Sequence, residues 1–460
     1  MSHQPVEETI MDEFIENSAR TLDGFHLQVG QLLGRGGTAV VYKGKYREVP
    51  VAIKALIPGA DEIVREYFLS ESLNLRRIRT HWQQYWPNFP LPIPDLKADE
   101  TGGSQPFIVM EMIDGRPLEE LGSKGMAITE ADAIQLAVQF GRLLVLLHEG
   151  MNKCYADVKY DNFYLLNARN PNNEPQLKVL DWNVLSDRTD EQVARDLFYA
   201  SLFLFRLLTN TAVQYHGIRL QTNLKTLDVF QKLSNATQRF LLLALHQNQA
   251  RRFQTAREWM DRLCTLNEWW QKDPLELNDM AAAYLKRSKE EQEGQRLTKA
   301  AEWMNDASDL LNISERKGHG DRNYWTALKG RVESGLKETS ELEIGKTMLA
   351  GKMFDKAVET FKRGAELSPL EPERILRWYW LAQSAQKMGL TDYLHFETDE
   401  TGTTTRNRLE IGVETLLAGD TLKAEEVFQQ ACMELGDHVP TGVQALYHEA
   451  RIYNLATQAN

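Results

Sequence analysis

The sequence predicts an α+β domain of two lobes, strand-rich and then helix-rich, followed by an all-α domain of helical repeats. Residues 25 to 56 alternate apolar and polar positions around a glycine cluster, the pattern of half-buried strands. From Thr129 the apolar positions shift to helical spacing, and beyond about Asn267 nearly everything reads as amphipathic helix rich in Lys, Glu, Ala and Leu. Two segments of that last region align with each other without gaps, which points to repeats. A chain of 460 residues is too long for one core of ordinary size. The expected division is an acidic segment 1–24, a bilobal domain 25–266 with its lobes meeting at 113/114, and a repeat domain 267–460.

Composition narrows the function. Hydrophobic residues make up 42% and charged residues 26%, and no apolar run approaches the roughly 18 residues a membrane helix needs. The start, MSHQPVEETIMDEFIEN, lacks the basic and apolar parts of a secretory signal, so a cytoplasmic protein with no membrane partner is expected. A net charge of −12 argues against a broad grip on nucleic acid, whose binding depends on clustered Lys and Arg. Cys154, Cys264 and Cys432 are too far apart for a disulfide framework or a zinc motif and read as reduced packing thiols.

In chain order, Val49, Val51 and Ile53 have strand character in a twisted antiparallel sheet. A helix follows from Asp61 to Ile78, with Ile63, Tyr67, Phe68, Leu75 and Ile78 at helical spacing. The Pro-rich WPNFPLPIPDL leads to a hairpin with turn TGGSQ and second strand PFIVMEMI. Thr129 and Asp132 suit the start of the helix TEADAIQLAVQFGRLLVLLHEG, and Asp196 heads a second apolar helix, LFYASLFLFRLL. In the last region LAGKMFDKAVETFKRGAEL matches LAGDTLKAEEVFQQACMEL, with Ala357 and Ala424, and Phe361 and Phe428, each 67 residues apart. That is close to twice a period of about 34 residues, and a degenerate copy beginning near Arg374 would fill the gap. Small Ala and Gly, a Phe knob and Pro369 after the second helix resemble the tetratricopeptide family over roughly residues 339 to 440. An unrelated helical bundle with the same spacing is the alternative.

The chemistry-bearing residues lie in the bilobal domain. Gly34-Arg-Gly36-Gly37-Thr-Ala-Val-Val41-Tyr sits between two strands, where glycine lets backbone amides approach a phosphate, though such a hairpin can also be only a turn. Val51-Ala52-Ile53-Lys54 sets a Lys inside an apolar strand, where an unpaired ammonium is costly. Glu71, 17 residues on, is a plausible partner and a nucleotide phosphate a second; a Lys snorkelling from an edge strand is the plain alternative. Further on, CYADVKYDNFYLL holds Asp157, Lys159 and Asn162 at short fixed intervals, and LKVLDWN brings Asp181 after an apolar strand.

Taken in order, these elements resemble the eukaryotic-like Ser/Thr protein kinase family over approximately residues 25 to 266. The resemblance implies ATP and Mg2+ as cofactors. It implies nucleotide contacts from Gly34, Gly36, Gly37, Val41, Ala52, Lys54 and Glu71, with Met110 limiting the back of the adenine pocket and backbone near Glu111 and Met112 binding the base. Asp157 would orient or deprotonate an attacking hydroxyl, Lys159 would neutralise the transferring phosphoryl group, and Asn162 and Asp181 would hold the metal. Ala250-Arg251-Arg252-Phe253-Gln254-Thr255-Ala256 resembles a late family segment.

Departures from the family pattern qualify these implications. Tyr155 and Ala156 stand for the His and Arg of the catalytic loop, so regulation through a phosphorylated activation loop is not expected. Asn183 stands for the turn Gly after Asp181, and Asn is the second choice where a positive dihedral is needed; Ala39 stands for the third loop Gly. Asp181 and Asp196 are only 15 residues apart with no Ala-Pro-Glu between them, so the peptide-docking ledge is shortened or missing and Arg252 reads as a surface cation. The function implied is an ATP- and Mg2+-dependent phosphotransferase, a divergent Ser/Thr kinase whose C-terminal repeats dock a protein partner or substrate. The alternatives are a nucleotide-binding pseudokinase scaffold and a kinase-fold enzyme that modifies a non-protein acceptor. Lys54→Ala is expected to weaken nucleotide use while leaving the melting temperature of the apo protein nearly unchanged.

Overall fold

A computed structural model describes residues 27–102, 106–118, 128–166, 174–293, 297–350, 353–367 and 420–435, with single positions between 382 and 451. The acidic segment 1–24, Pro369 and the repeat copy expected near Arg374 lie outside the described residues. The chain divides into two compact units, 1–271 and 272–460. The break expected after residue 266 falls inside a helix, Ala256–Gln271, whose Trp269 is buried, so the first unit runs to the end of that helix.

The first unit opens with an antiparallel sheet of β1 (Leu27–Arg35), β2 (Ala39–Tyr46), β3 (Val49–Leu56), β4 (Leu96–Glu100) and β5 (Phe107–Glu111), in the order β1-β2-β3-β5-β4. Because side chains alternate along a strand, register fixes two faces. One face packs Val40, Tyr42, Val51, Ile53, Ala55, Phe107 and Val109 into a core. On the other, Val41 lies opposite Lys54 and Ala52 opposite Met110. The expected nucleotide positions of the strands therefore share the face away from the core.

Helix α1 (Glu62–Tyr85) is capped by Asp61, whose carboxylate accepts from the Val64 amide at 2.8 Å. Its buried stripe is Phe68, Glu71, Ser72, Leu75, Ile78 and Trp82. The helix outruns the expected end at Ile78 because buried Trp82 adds a further turn to the apolar stripe. Ile63 and Tyr67, expected inward, are exposed: the buried stripe begins at Phe68 and runs down another face.

The helical part of this unit contains α2 (Glu130–Val145), α3 (Asp190–Thr209), α4 (Asn235–Ala244) and α5 (Ala256–Gln271). Thr129 caps α2 by accepting from the Asp132 amide at 3.1 Å, and α2 is buried almost all round, as a central helix should be. It continues into a wider π turn at Leu146–Gly150. Helix α3 starts at Asp190 under a Thr189 cap, so Asp196 lies within the helix and not at its head. Two short sheets frame the loops between: β6 (Gly115–Pro117), β8 (Phe163–Leu166) and β9 (Leu177–Val179) form one, and β7 (Lys153–Cys154) pairs with β10 (Ser186–Asp187) in the other. Phe140, Phe163 and Phe203 pack beneath them, the last two stacked at 4.2 Å.

The second unit is helical where described: α6 (Pro274–Glu293), α7 (Leu297–Arg316), α8 (Arg322–Ala350), α9 (Phe354–Leu367) and α10 (Thr421–Leu435). A Cβ added at Gly345 would come within 2.4 Å of the Phe361 ring, and one at Gly412 within 2.7 Å of the Phe428 ring. These glycines are themselves 67 residues apart, so the sequence repeat is also a repeat of packing, a Phe knob against a helix glycine. Among the described residues, no helix is long and apolar enough to cross a membrane.

Candidate functional site

The site is built where the free face of the sheet meets the loops above the helical part. Lys54 projects from β3 on that face, and α1 brings Glu71 under it: Nζ donates to Glu71 Oε2 at 2.5 Å. Glu71 is only 2% exposed, and a buried carboxylate needs such a partner. Asp181 Oδ1 lies 3.7 Å from the same Nζ. Burial lowers the Lys54 pKa, but the charges of Glu71 and Asp181 more than offset it and hold the pKa above its ordinary value. Lys54 is thus a fixed cation between two carboxylates, one buried and one 35% exposed.

The loop from Tyr155 to Asn162 supplies the remaining groups. Lys159 Nζ donates to Asp157 Oδ2 at 2.9 Å, and this hydrogen bond raises the Lys159 pKa. Tyr155 is buried, donates its hydroxyl to the Leu180 carbonyl at 2.9 Å and packs on Trp182 at 4.8 Å. A phenol whose proton is committed in this way can only accept from its next neighbour. Asn162 therefore presents Nδ2 to it at 3.3 Å, and Nδ2 also reaches the Asp157 carbonyl at 3.3 Å.

Tyr155 also ties the two loops together, since the residue accepting its proton is adjacent to Asp181. The Leu180 amide donates to the Asn162 carbonyl at 2.7 Å, a second tie. From the sheet side, Asn74 on α1 donates to the Trp182 carbonyl at 2.8 Å. Burial pushes the Tyr155 pKa well up, so the hydroxyl stays protonated and the tie persists through the neutral range.

Asp196 anchors the loop from below. Its carboxylate accepts from the Tyr155 amide at 2.9 Å, the Ala156 amide at 3.0 Å and His148 Nε2 at 2.9 Å, all in the interior. These bonds hold Ala156 at φ 62°, a left-handed conformation that costs a non-glycine residue energy. His148, Cys154 and Asp196 lie close enough to share a cation, yet Asp196 already serves three donors and burial pushes the Cys154 thiol to about 12. The cluster reads as an anchor. The sequence marked Tyr155 only as a departure and Asp196 only as a helix start, and no local signal ties either to the site.

The glycine loop has a different signature. A Cβ added at Gly34 or Gly37 meets nothing within 4 Å, and at Gly36 only the Ala39 carbonyl oxygen at 3.8 Å. Gly44 in the same sheet is the reverse case, with a Cβ falling 2.4 Å from Ile53 and 2.5 Å from the Gln28 carbonyl. Neither packing nor a positive φ demands glycine at 34, 36 or 37, and the space above them is open.

Two expectations need correction. The positive dihedral expected at Asn183 belongs to Asp181, φ 63°, which turns its carboxylate back toward Lys54. At the end of β5 the Glu111 amide donates to the Asp95 carbonyl at 2.8 Å and the Glu111 carboxylate pairs with Lys178, and the chain leaves the sheet at Met112. Arg252 is no surface cation: it is 9% exposed and lies over the Phe198 ring.

Lys54, Glu71, Asp157, Lys159, Asn162 and Asp181 form one connected constellation, and Val41, Ala52 and Met110 line the adjoining sheet face. No family model matches the chain.

Proposed function

We propose that the first unit is a divergent protein-kinase-like domain and that the chain is an ATP- and magnesium-dependent phosphotransferase acting on Ser or Thr hydroxyls of a protein. The observation that carries this is the linked constellation: one fixed ammonium with a 35% exposed carboxylate 3.7 Å away, and a second carboxylate and an amide tied to it through the Tyr155 hydroxyl. Asp181 and the amide oxygen of Asn162 would hold Mg2+, since carboxylate and amide oxygens suit that hard cation. Bound, the metal and Lys54 would neutralise charge on the triphosphate.

Within that reading the chain's own residues divide the work. The glycines at 34, 36 and 37 leave backbone room for phosphate oxygens. Val41, Ala52 and Met110 give the base an apolar wall, with backbone near Met112 as its polar edge. Asp157 orients an acceptor hydroxyl, with Lys159 beside it as the mobile cation. The second unit's stacked helices, resembling tetratricopeptide repeats, would bring the protein acceptor, a use to which repeat surfaces lend themselves.

The test is transfer from γ-labelled ATP with Mg2+, wild type beside Asp157→Ala. Label should reach the protein itself or proteins of an added lysate, and the variant should lose about 10²–10⁴ of that rate. ATP binding with no turnover would favour a scaffold instead, and label carried from the α position would favour nucleotidyl transfer.

A further inference from the structure

Lys178 lies on β9, three residues before Asp181, and the reaction proposed above gives it no task. Its ammonium donates to Glu111 Oε2 at 2.8 Å and to the Ile93 carbonyl at 3.0 Å, with the side chain only 12% exposed. A charge held this far from water depends on both acceptors. Glu111 is the last residue of β5, where the chain leaves the sheet for Met112. The ion pair therefore runs from the edge proposed to hold the base to the strand that leads into Asp181.

Both ends of the link are held in turn. Glu111 Oε2 also accepts from the Asp95 amide at 3.1 Å, and the Glu111 amide donates to the Asp95 carbonyl at 2.8 Å, so this carboxylate is fixed beside its own backbone. On β9, the Val179 amide donates to the Pro92 carbonyl at 2.8 Å, and the Leu180 amide that follows donates to the Asn162 carbonyl at 2.7 Å. Each residue from Lys178 to Leu180 is tied to another segment, and Asp181 comes next.

Neighbouring ion pairs are built differently. Arg76 with Asp99, Arg79 with Asp95 and Lys97 with Asp95 all keep their cations 37% exposed or more, where solvent competes and little is gained. Lys178 is the cation that has left water. A charge-assisted bond is roughly twice as strong as a neutral one, so the Lys178 pair outweighs the backbone bond at Val179 in tying β9 to the sheet.

We propose that Lys178 is a positioning residue that couples the base-binding edge of the sheet to Asp181. The inference rests on the nucleotide reading of the site. Its ammonium sets the span between the end of β5 and β9 before any ligand arrives, so a nucleotide whose base is held near Met112 brings its phosphates to an Asp181 already in place. Ordering that would otherwise accompany binding is done by the fold.

Calorimetric titration of the full chain with adenosine, which meets only the base edge, and with ATP and Mg2+, which also meet Asp181, tests the coupling. Lys178→Met should weaken binding of ATP with Mg2+ by about tenfold and of adenosine by less than about twofold. Glu111→Gln cuts the same link from its 32% exposed end, keeps an acceptor for the Asp95 amide, and should act in the same direction, which keeps the test valid if Lys178→Met folds poorly. The double variant should bind no more weakly than either single one, since one link is broken in all three. Arg79→Gln, at an exposed pair, should leave both affinities within about twofold of wild type. A role in folding alone would lower the melting temperature and both affinities together. Equal losses for adenosine and ATP, losses that add in the double variant, or no loss at all would overturn the coupling. Wild type that binds neither ligand would overturn the nucleotide reading beneath it, a separate result.

Discussion

Two lysine–carboxylate pairs belong to the site and are built in opposite ways. Lys54 and Glu71 meet at 2.5 Å with side chains 14% and 3% exposed, whereas Lys159 and Asp157 meet at 2.8 Å with side chains 63% and 26% exposed. The first pair is a fixture: its carboxylate has left water and depends on its partner. The second is open to solvent, where ion pairs contribute little and exchange readily. On the proposed reading, the difference separates a grip set in advance by the fold from groups left open to solvent for an incoming acceptor.

Breaking the buried pair should have the largest effect on the fold. Lys54→Met strands Glu71 and should cost about 3–5 kcal/mol in urea unfolding, while the double variant Lys54→Met/Glu71→Met should recover most of it, since both charges are then gone. The Lys54–Glu71 contact predicts such a loss against the expectation of a nearly unchanged melting temperature for Lys54→Ala, and the same unfolding experiment decides between them. No recovery in the double variant would mean that the loss came from packing, and the comparison would collapse.

Asp196→Asn tests the anchor under the open pair. An amide has one acceptor oxygen, so a buried donor among Tyr155 N, Ala156 N and His148 is left unmet, at about 1–3 kcal/mol. Transfer should fall with it, because Ala156 is released from its left-handed turn. At the exposed pair, Lys159→Ala should shift stability by no more than about 1 kcal/mol, whatever it does to transfer. A larger loss would show that this pair too is structural.

The alkaline limb of stability gives the smallest effect near neutrality. Burial pushes Cys154 and Tyr160 up to about 12, and Lys54 is raised despite burial because of its carboxylates. All three hold their protons more tightly folded than unfolded, so the stability they confer is complete below their unfolded values and is lost as pH rises toward 12. Melting temperature should stay level from pH 7 to 9 and then decline. A Cys154→Ala variant should flatten that decline; an unchanged slope would remove the thiol from the account.

Much of this was written locally in the chain. The alternation around Val49, Val51 and Ile53 marks the sheet, Thr129 and Asp132 mark the start of α2, and Lys54 inside an apolar strand demands a carboxylate such as Glu71. What escaped depends on contacts between distant segments. Asp196 looks like any acid near a helix start until α3 begins six residues earlier and carries it into the interior beside Tyr155. Arg252 reads as exposed because nothing local reveals Phe198 beneath it. The positive dihedral went to Asp181, not Asn183, in a turn that Asn74 on the distant α1 holds by the Trp182 carbonyl.

The central claim, that Asp181 and Lys54 together receive a metal-bound triphosphate, is tested most directly by ATP binding to wild type and to Asp181→Asn, each with Mg2+ and with EDTA. Wild type should bind only with Mg2+, and the variant should lose that dependence together with most of its affinity. Binding that ignores both Mg2+ and Asp181 would contradict it.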